Sequence, residues 1–354
     1  MQDWVGITIF SALSVCFTMA LAFGGTIYSF GSAPGIVLWV MTGVLLIAFC
    51  LVTYYHPFVD GKYRLYPVHL FKYAELSLLK LELFMAMGCM MTALYYIPLL
   101  FQFSRGDTPL EAGVRLLPFM CCLIAMEVIN GWLMPKFGYY MPWYVFGNAL
   151  ILAGGAAMRK FPWQIIFFTA LTAFPLFIPM RSSANVKMWP SYLTFFLTYL
   201  TWIVKLDAHT SDAEIYAYTA LIGAGCGSYF TAGFAVAGVL IPSSELQNSV
   251  GFMTIGQGWG QIVLLSLAGS LYQNIGIRMI QKVMPDATIM EAFQLSTGRH
   301  SHLFEDLPEH LQAEIVRIVT ISIRNAFAVI VPASGIALIA SAFLSVSHHR
   351  RLLN

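Results

Sequence analysis

The chain has 354 residues, of which 58% are hydrophobic and 10% charged, with a mean hydropathy of +0.73 and a formal net charge of +2. A soluble domain carries about 25% charged residues, so composition excludes an ordinary water-soluble fold, and the small charge balance makes no case for a nucleic-acid partner. The six cysteines all sit within apolar runs, without metal-ligand or disulfide spacing, and read as small apolar side chains.

In chain order, apolar runs predict spanning helices at about 4–24, 36–55, 79–102, 113–134, 142–158, 216–240, 251–273 and 326–347. Each is close to the roughly twenty residues a helix needs to cross a bilayer. In lipid every backbone N–H and C=O must be satisfied internally, so successive runs of this length imply an all-α polytopic membrane protein. The start, Met1-Gln2-Asp3-Trp4, enters the first run without a basic segment or a cleavage site and reads as a retained span.

Lysine and arginine in the short loops set the orientation. Lys62, Arg64 and Lys72 follow the second span, Lys136 the fourth, and Arg350 and Arg351 the last. If every span crosses, these segments share one side, expected to be cytoplasmic. The uncharged loop from Thr26 to Gly35 fits the opposite side, whereas Arg105 and Arg115 argue weakly against this assignment. The polar segment 274–325 includes an amphipathic stretch from Leu311 to Arg324. It is expected outside, as a short helix over a pore mouth or in the interface, or as a partly disordered loop.

Several short motifs recur in a telling order. They are Asp3-Trp4-Val5-Gly6, Phe23-Gly24-Gly25, the run from Tyr95 to Gly106, Val114-Arg115-Leu116-Leu117-Pro118, and the 130–144 block. Leu221-Ile222-Gly223-Ala224-Gly225-Cys226-Gly227 and Val250-Gly251-Phe252-Met253 follow. Together they resemble the fungal toxin-efflux branch of the fourteen-helix drug:proton antiporters of the major facilitator superfamily. The resemblance covers only the second part of such a transporter. It implies a linking helix pair at 1–60 and a C-terminal bundle at 61–158 and 206–354, with an external loop at 274–325. It also implies that the N-terminal six-helix bundle is lacking. The superfamily's signature loop has a degenerate echo here, with Gly131, Leu133, Lys136 and Gly138 in matching places. Pro135 stands where the better-formed copy has an aspartate, so that copy's charge relay does not carry over.

Between 159 and 205 the chain departs from the family, with about forty-five residues rich in Phe, Pro, Trp and Thr. The residues Arg159-Lys160-Phe161 are compatible with a splice-donor sequence. Tyr199-Leu200-Thr201 and Ile203 are compatible with a branch point and an acceptor. A translated intron and two genuine extra helices are the competing readings. The segment's prolines, among them Pro162, Pro175, Pro179 and Pro190, would break or kink such helices.

Polar side chains within spans are candidates for function. Glu127 is read as the sole acidic residue within a span of the second bundle, one helical turn from Asn130. It could carry a proton or meet a cationic substrate, or it could reach water or pair with Lys136. Gln257 and Gln261 share a helix face among Gly256, Gly258 and Gly260, suited either to a cavity ligand or to close helix packing. Tyr95, Tyr96 and Gln102 could line the outer half of a cavity, or the tyrosines could anchor at the interface. Gly223, Gly225 and Gly227 are expected to permit helix contact.

No enzyme, metal site or cofactor emerges from these residues. What the resemblance implies is proton-driven export of a small organic toxin, drug or secondary metabolite, from a plasma membrane rather than a vacuolar one. Relatives that carry siderophores, and a non-functional fragment of a transporter gene, are the alternatives. Its expected partners are the lipid bilayer, the substrate, protons and a first bundle that this sequence does not contain.

Overall fold

The computed structural model describes residues 3–24, 28, 31–55, 66–159, 211–299 and 302–344. The atypical segment after Arg159, Lys62, Arg64, Arg350 and Arg351 lie outside these described residues. Thirteen α-helices run through the described residues: α1 (Trp4–Phe23), α2 (Ala33–Tyr55), α3 (Ala74–Arg105), α4 (Pro109–Val114), α5 (Leu117–Phe137), α6 (Met141–Arg159), α7 (Asp212–Gly227) and α8 (Ala232–Leu240). Then come α9 (Leu246–Val283), α10 (Ile289–Thr297), α11 (His302–Glu305), α12 (Glu309–Ala326) and α13 (Ile330–Ala342). Eight stretches among the described residues are long and apolar enough to cross a membrane: α1, α2, α3, Pro109–Phe137, Met141–Met158, Asp212–Leu240, Ser243–Val283 and Glu309–Ala342. All eight predicted spans are present, and no strand is found among the described residues.

Local chemistry explains the boundaries. The Asp3 carboxylate accepts the Gly6 N–H at 2.8 Å and caps α1. Gly106 and Gly138 end α3 and α5 in the left-handed region, at φ 75° and 69°, where only glycine avoids a Cβ clash. Pro109 and a Thr108–Glu111 capping box open α4.

The helices fall into two groups by burial. In α3 a stripe spaced three and four apart, including Leu79, Leu83, Ala86, Ala93, Ile97 and Leu100, is buried against α9, α12 and α13. In α1 only Gly6, Leu13 and Ala20 are buried, and in α2 only Gly35 and Thr42. This pair stands at the edge and touches α9 through Phe10 and Phe17 of α1, whose rings meet Trp259 at 5.6 and 6.0 Å.

Two elements differ from expectation. α9 runs to Val283, about 57 Å at 1.5 Å per residue, well past the predicted end near 273. Its polar last turns stay helical because Ile277 and Ile280 are buried and Gly276 meets Ser322 of α12. The stretch from Leu311 to Arg324 was expected in the outer segment. It belongs to α12, which continues through a short 3-10 turn into α13 as the first half of the last span. Its apolar stripe, Ile315, Ile318, Val319 and Ile323, is buried against α9 and α3 rather than facing an interface.

Candidate functional site

The same periodicity that buries Leu79, Leu83 and Ala86 places Glu82 on the inner face of α3, with 0% exposure. Asn148 lies one turn beyond Tyr144 on the inner face of α6, and both are buried. The third member comes from a break in the sixth span. After Gly227 the backbone tightens: the Ser228 N–H is shared between the Ala224 and Gly225 carbonyls, and the Ala232 N–H reaches back only to Tyr229. The break turns Tyr229 inward, with its ring 4.6 Å from that of Tyr144.

These side chains form a directional relay. The Tyr229 hydroxyl donates to Asn148 Oδ1 at 2.6 Å, and Asn148 Nδ2 donates to Glu82 Oε2 at 2.7 Å. Glu82 Oε1 and the hydroxyl of Tyr144 have no hydrogen-bond partner among the described residues. Among the described residues no cation answers the carboxyl. Lys80, two residues earlier on α3, donates to the Tyr66 hydroxyl, and its ammonium sits 4.0 Å from the Tyr66 ring centre and 3.8 Å from that of Phe252. Burial pushes the Tyr66 phenol up to about 12.

The helices reach this closeness through glycine. A methyl built on Gly225 of α7 falls 2.6 Å from the Gly147 carbonyl oxygen of α6. Gly223 and Gly227, on the other side of α7, lie against the Phe119 and Leu123 carbonyls of α5. The three glycines expected to permit helix contact therefore do so on two faces.

A second polar cluster sits where α3 ends and α7 begins. Arg105 Nε donates to Asp212 Oδ1 at 2.8 Å, and Arg115 donates to Asp212 Oδ2 at 2.6 Å and to the Tyr216 hydroxyl at 3.1 Å. Arg115 also pairs with Asp107 and lies 4.9 Å over the Phe101 ring. Two arginines meet two aspartates here, which explains why Arg105 and Arg115 oppose the loop-charge bias: both are paired locally. Nearby, Arg299 donates to the Phe103 carbonyl at 2.6 Å. At the other end of α3, His69 Nε2 lies 3.0 Å from Glu245 Oε2. Among the described residues no group of three or more metal-ligating side chains occurs.

The residues singled out from sequence are scattered. Tyr95 is 57% exposed, while the adjacent Tyr96 is buried between Tyr272 and Phe327. Tyr96 is therefore a core residue and no interfacial anchor. Gln102 is half-buried in the last turn of α3. Asn130 is buried with its Nδ2 unpartnered among the described residues, and Glu127 is half-buried with no ion pair there. The Lys136 ammonium lies 3.3 Å from the centre of the Trp132 ring instead of pairing with Glu127. Gly131 is exposed and Gly138 is the helix cap. Gln257 Nε2 approaches Met87 Sδ at 3.9 Å, and Gln261 is half-buried. The neighbouring Gly256 and Gly260 lie against Lys80 and the Phe84 carbonyl, so close packing of α9 on α3 occupies that glycine face. No hydrogen bond joins the α5 pair to the α9 pair among the described residues.

Reading Glu127 as the sole acid within a span is corrected by Glu82, which falls inside the predicted 79–102 run. The signal was available: an acid flanked by Leu81 and Leu83 in an apolar run. What hid it is its place near the start of the run, beside Lys80, where a charged pair resembles a solvated helix end.

No family model matches the chain. Among curated proteins it is 35% identical over 339 residues, 96% of its length, to the efflux pump DEP3 of Fusarium langsethiae, of which it covers 54%. It is 30% identical over 96% of its length to the phomenoic acid biosynthesis cluster MFS-type transporter of Leptosphaeria maculans, covering 50% of that protein. It is also 30% identical over 97% of its length to the efflux pump patC of Aspergillus clavatus, covering 54%. The chain thus spans about half the length of the curated relatives it matches. With eight apolar spans among the described residues and this similarity, it is an integral, multi-pass, all-α membrane protein that is similar, over about half their length, to fungal proteins named efflux pumps and MFS-type transporters.

Proposed function

We propose that this chain forms the linking pair and second helical bundle of a proton-driven exporter of a small organic secondary metabolite or toxin, working in the plasma membrane. The similarity to named efflux pumps along 96% of the chain carries this reading. Transporters of this architecture rock two bundles about a site between them, so the chain acts together with a second bundle of the kind that fills the rest of its relatives' length. Glu127 and Asn130 on the little-covered α5, with Gln257 and Gln261 on α9, are the side chains proposed to meet substrate. Tyr95 and Gln102 stand nearer the Arg105 end, proposed to be the outer one. Gly131, Lys136 and Gly138 form the turn proposed to contact the second bundle as the bundles move.

The test uses yeast stripped of its own export pumps. Cells receive the full chain together with the part of the Fusarium relative that it does not match. Retention of a panel of fluorescent amphipathic dyes, rhodamine 6G among them, is expected to fall and to recover with a protonophore. Unchanged retention of every dye, with both proteins verified in the membrane, overturns the reading.

A further inference from the structure

We propose that Glu82 is a proton-binding group whose protonation state is coupled, through Asn148, to the break between α7 and α8. This rests on the export reading for its purpose but not for its test.

The geometry argues as follows. Glu82 has 0% exposure and one donor, the Asn148 amide; its other oxygen has no partner among the described residues. An ionised carboxylate so placed is desolvated and answered by a single neutral dipole, which leaves its charge largely unsolvated. A carboxylic acid carrying its proton on Oε1, with Oε2 accepting from Asn148, satisfies the relay as drawn. Among the described residues Asn148 and Tyr144 of α6 and Tyr229 of the break face the carboxyl, and Cys226 of α7 and Cys89 of α3 lie beside Tyr229. All are neutral side chains, and no charged group of α9, α12 or α13 faces Glu82 among the described residues.

Release of the proton breaks the Oε1–H bond, transfers H⁺ to water and leaves the carboxylate. Water must reach Oε1 for that transfer, and the element best placed to let it in is the α7–α8 break. There the backbone ladder is already interrupted and Tyr229 is held inward by Asn148. Because Asn148 accepts from Tyr229 while donating to Glu82, moving one end of the relay disturbs the other. Proton loss and opening of the break are therefore one linked event. The assignment also places a proton site in the second bundle, whereas the family resemblance puts the proton-carrying carboxylate in the first.

The experiment uses the purified full chain in lipid nanodiscs. Infrared spectra are expected to show a protonated, buried carboxylic acid whose band shifts in deuterated water and is missing in E82Q. Hydrogen exchange of the 228–234 segment, corrected for its intrinsic rate, is expected to rise about tenfold per pH unit as one linked proton is lost. In E82Q the corrected rate is expected to be independent of pH. Y229F keeps the ring packing and removes the donor; it should retain the carboxylic-acid band and lose most of the pH slope, which guards against misfolding of E82Q. An acid band that survives in E82Q, or equal pH slopes in wild type and Y229F, overturns the proposal. Neither readout needs a transported substrate, so its failure is separable from failure of the dye-export test.

Discussion

The two polar clusters of this molecule solve opposite problems. At the Arg105 end every charge is answered: Asp212 holds Arg105 and Arg115, and Arg115 holds Asp107 as well. At the α7–α8 break a carboxyl is buried, and among the described residues it meets an amide, a tyrosine relay and aromatic faces but no cation. The first arrangement is stable in either conformation of a moving protein, since opposite charges stay close and partly wet. The second is stable only while the acid is neutral and the helices are closed. A paired cluster clamps, whereas an unanswered acid senses its surroundings.

The largest effect on this contrast is expected from Gly225→Val. The added side chain meets the Gly147 carbonyl, a backbone atom that cannot swing aside, so thermal stability in detergent should fall by about 3 kcal/mol. Crosslinking at the Asp212 cluster should be unaffected if the two regions are independent. Loss of both together would merge them into one unit. Next comes Asn148→Leu, which strands the Glu82 carboxyl and the Tyr229 hydroxyl and should cost about 2 kcal/mol. The double variant Glu82→Leu with Asn148→Leu should regain about half of that, because the carboxyl is gone and only the Tyr229 hydroxyl stays unsatisfied. A double variant no more stable than the single one would mean that steric packing, rather than polarity, governs the site.

A smaller change, about 1 kcal/mol, is expected for Arg115→Ala, whose side chain is 27% exposed and whose pairs are screened by water. Its penalty should shrink at high salt, whereas that of Asn148→Leu should not. Equal salt responses would erase the distinction drawn above. The smallest effect lies in α10, where the Thr288 backbone N–H and hydroxyl hold the exposed Glu291 carboxyl below the usual carboxylate range. Since the folded value is the lower one, this support is complete above the unfolded value of about 4.3 and fades as pH falls through the folded one. Hydrogen exchange of 289–297 should lose protection below about pH 4, and Glu291→Gln should show no such acid step.

Much of the architecture is legible in the amino-acid order. Eight runs of apolar residues are enough to place eight spans, because lipid rewards length and hydropathy directly. Helix ends such as Gly106 and Gly138 are readable from residue chemistry. The glycine triplet of α7 announces close contact without naming the partner helix. Where the reading went astray, a polar face misled it. Arg278 and Lys282 in α9, and Glu314 and Arg317 in α12, look like loop or interface residues, yet each belongs to a helix whose opposite face is buried against its neighbour.

The candidate site was less legible for the same reason. Sequence spacing can put Glu127 beside Asn130 or Gln257 beside Gln261, since those relations lie within one helix. It cannot bring together Glu82, Asn148 and Tyr229, which are separated by 66 and 81 residues. By itself the sequence determined the all-α membrane class, the eight spans of the described residues and the local caps, all consequences of hydropathy and short-range stereochemistry. Only the tertiary structure decided that α12 joins the last span, that Arg105 and Arg115 are neutralised by aspartates, and that a carboxyl meets a broken helix. Those outcomes depend on which faces the helices bury against one another, a choice made by packing across the whole bundle.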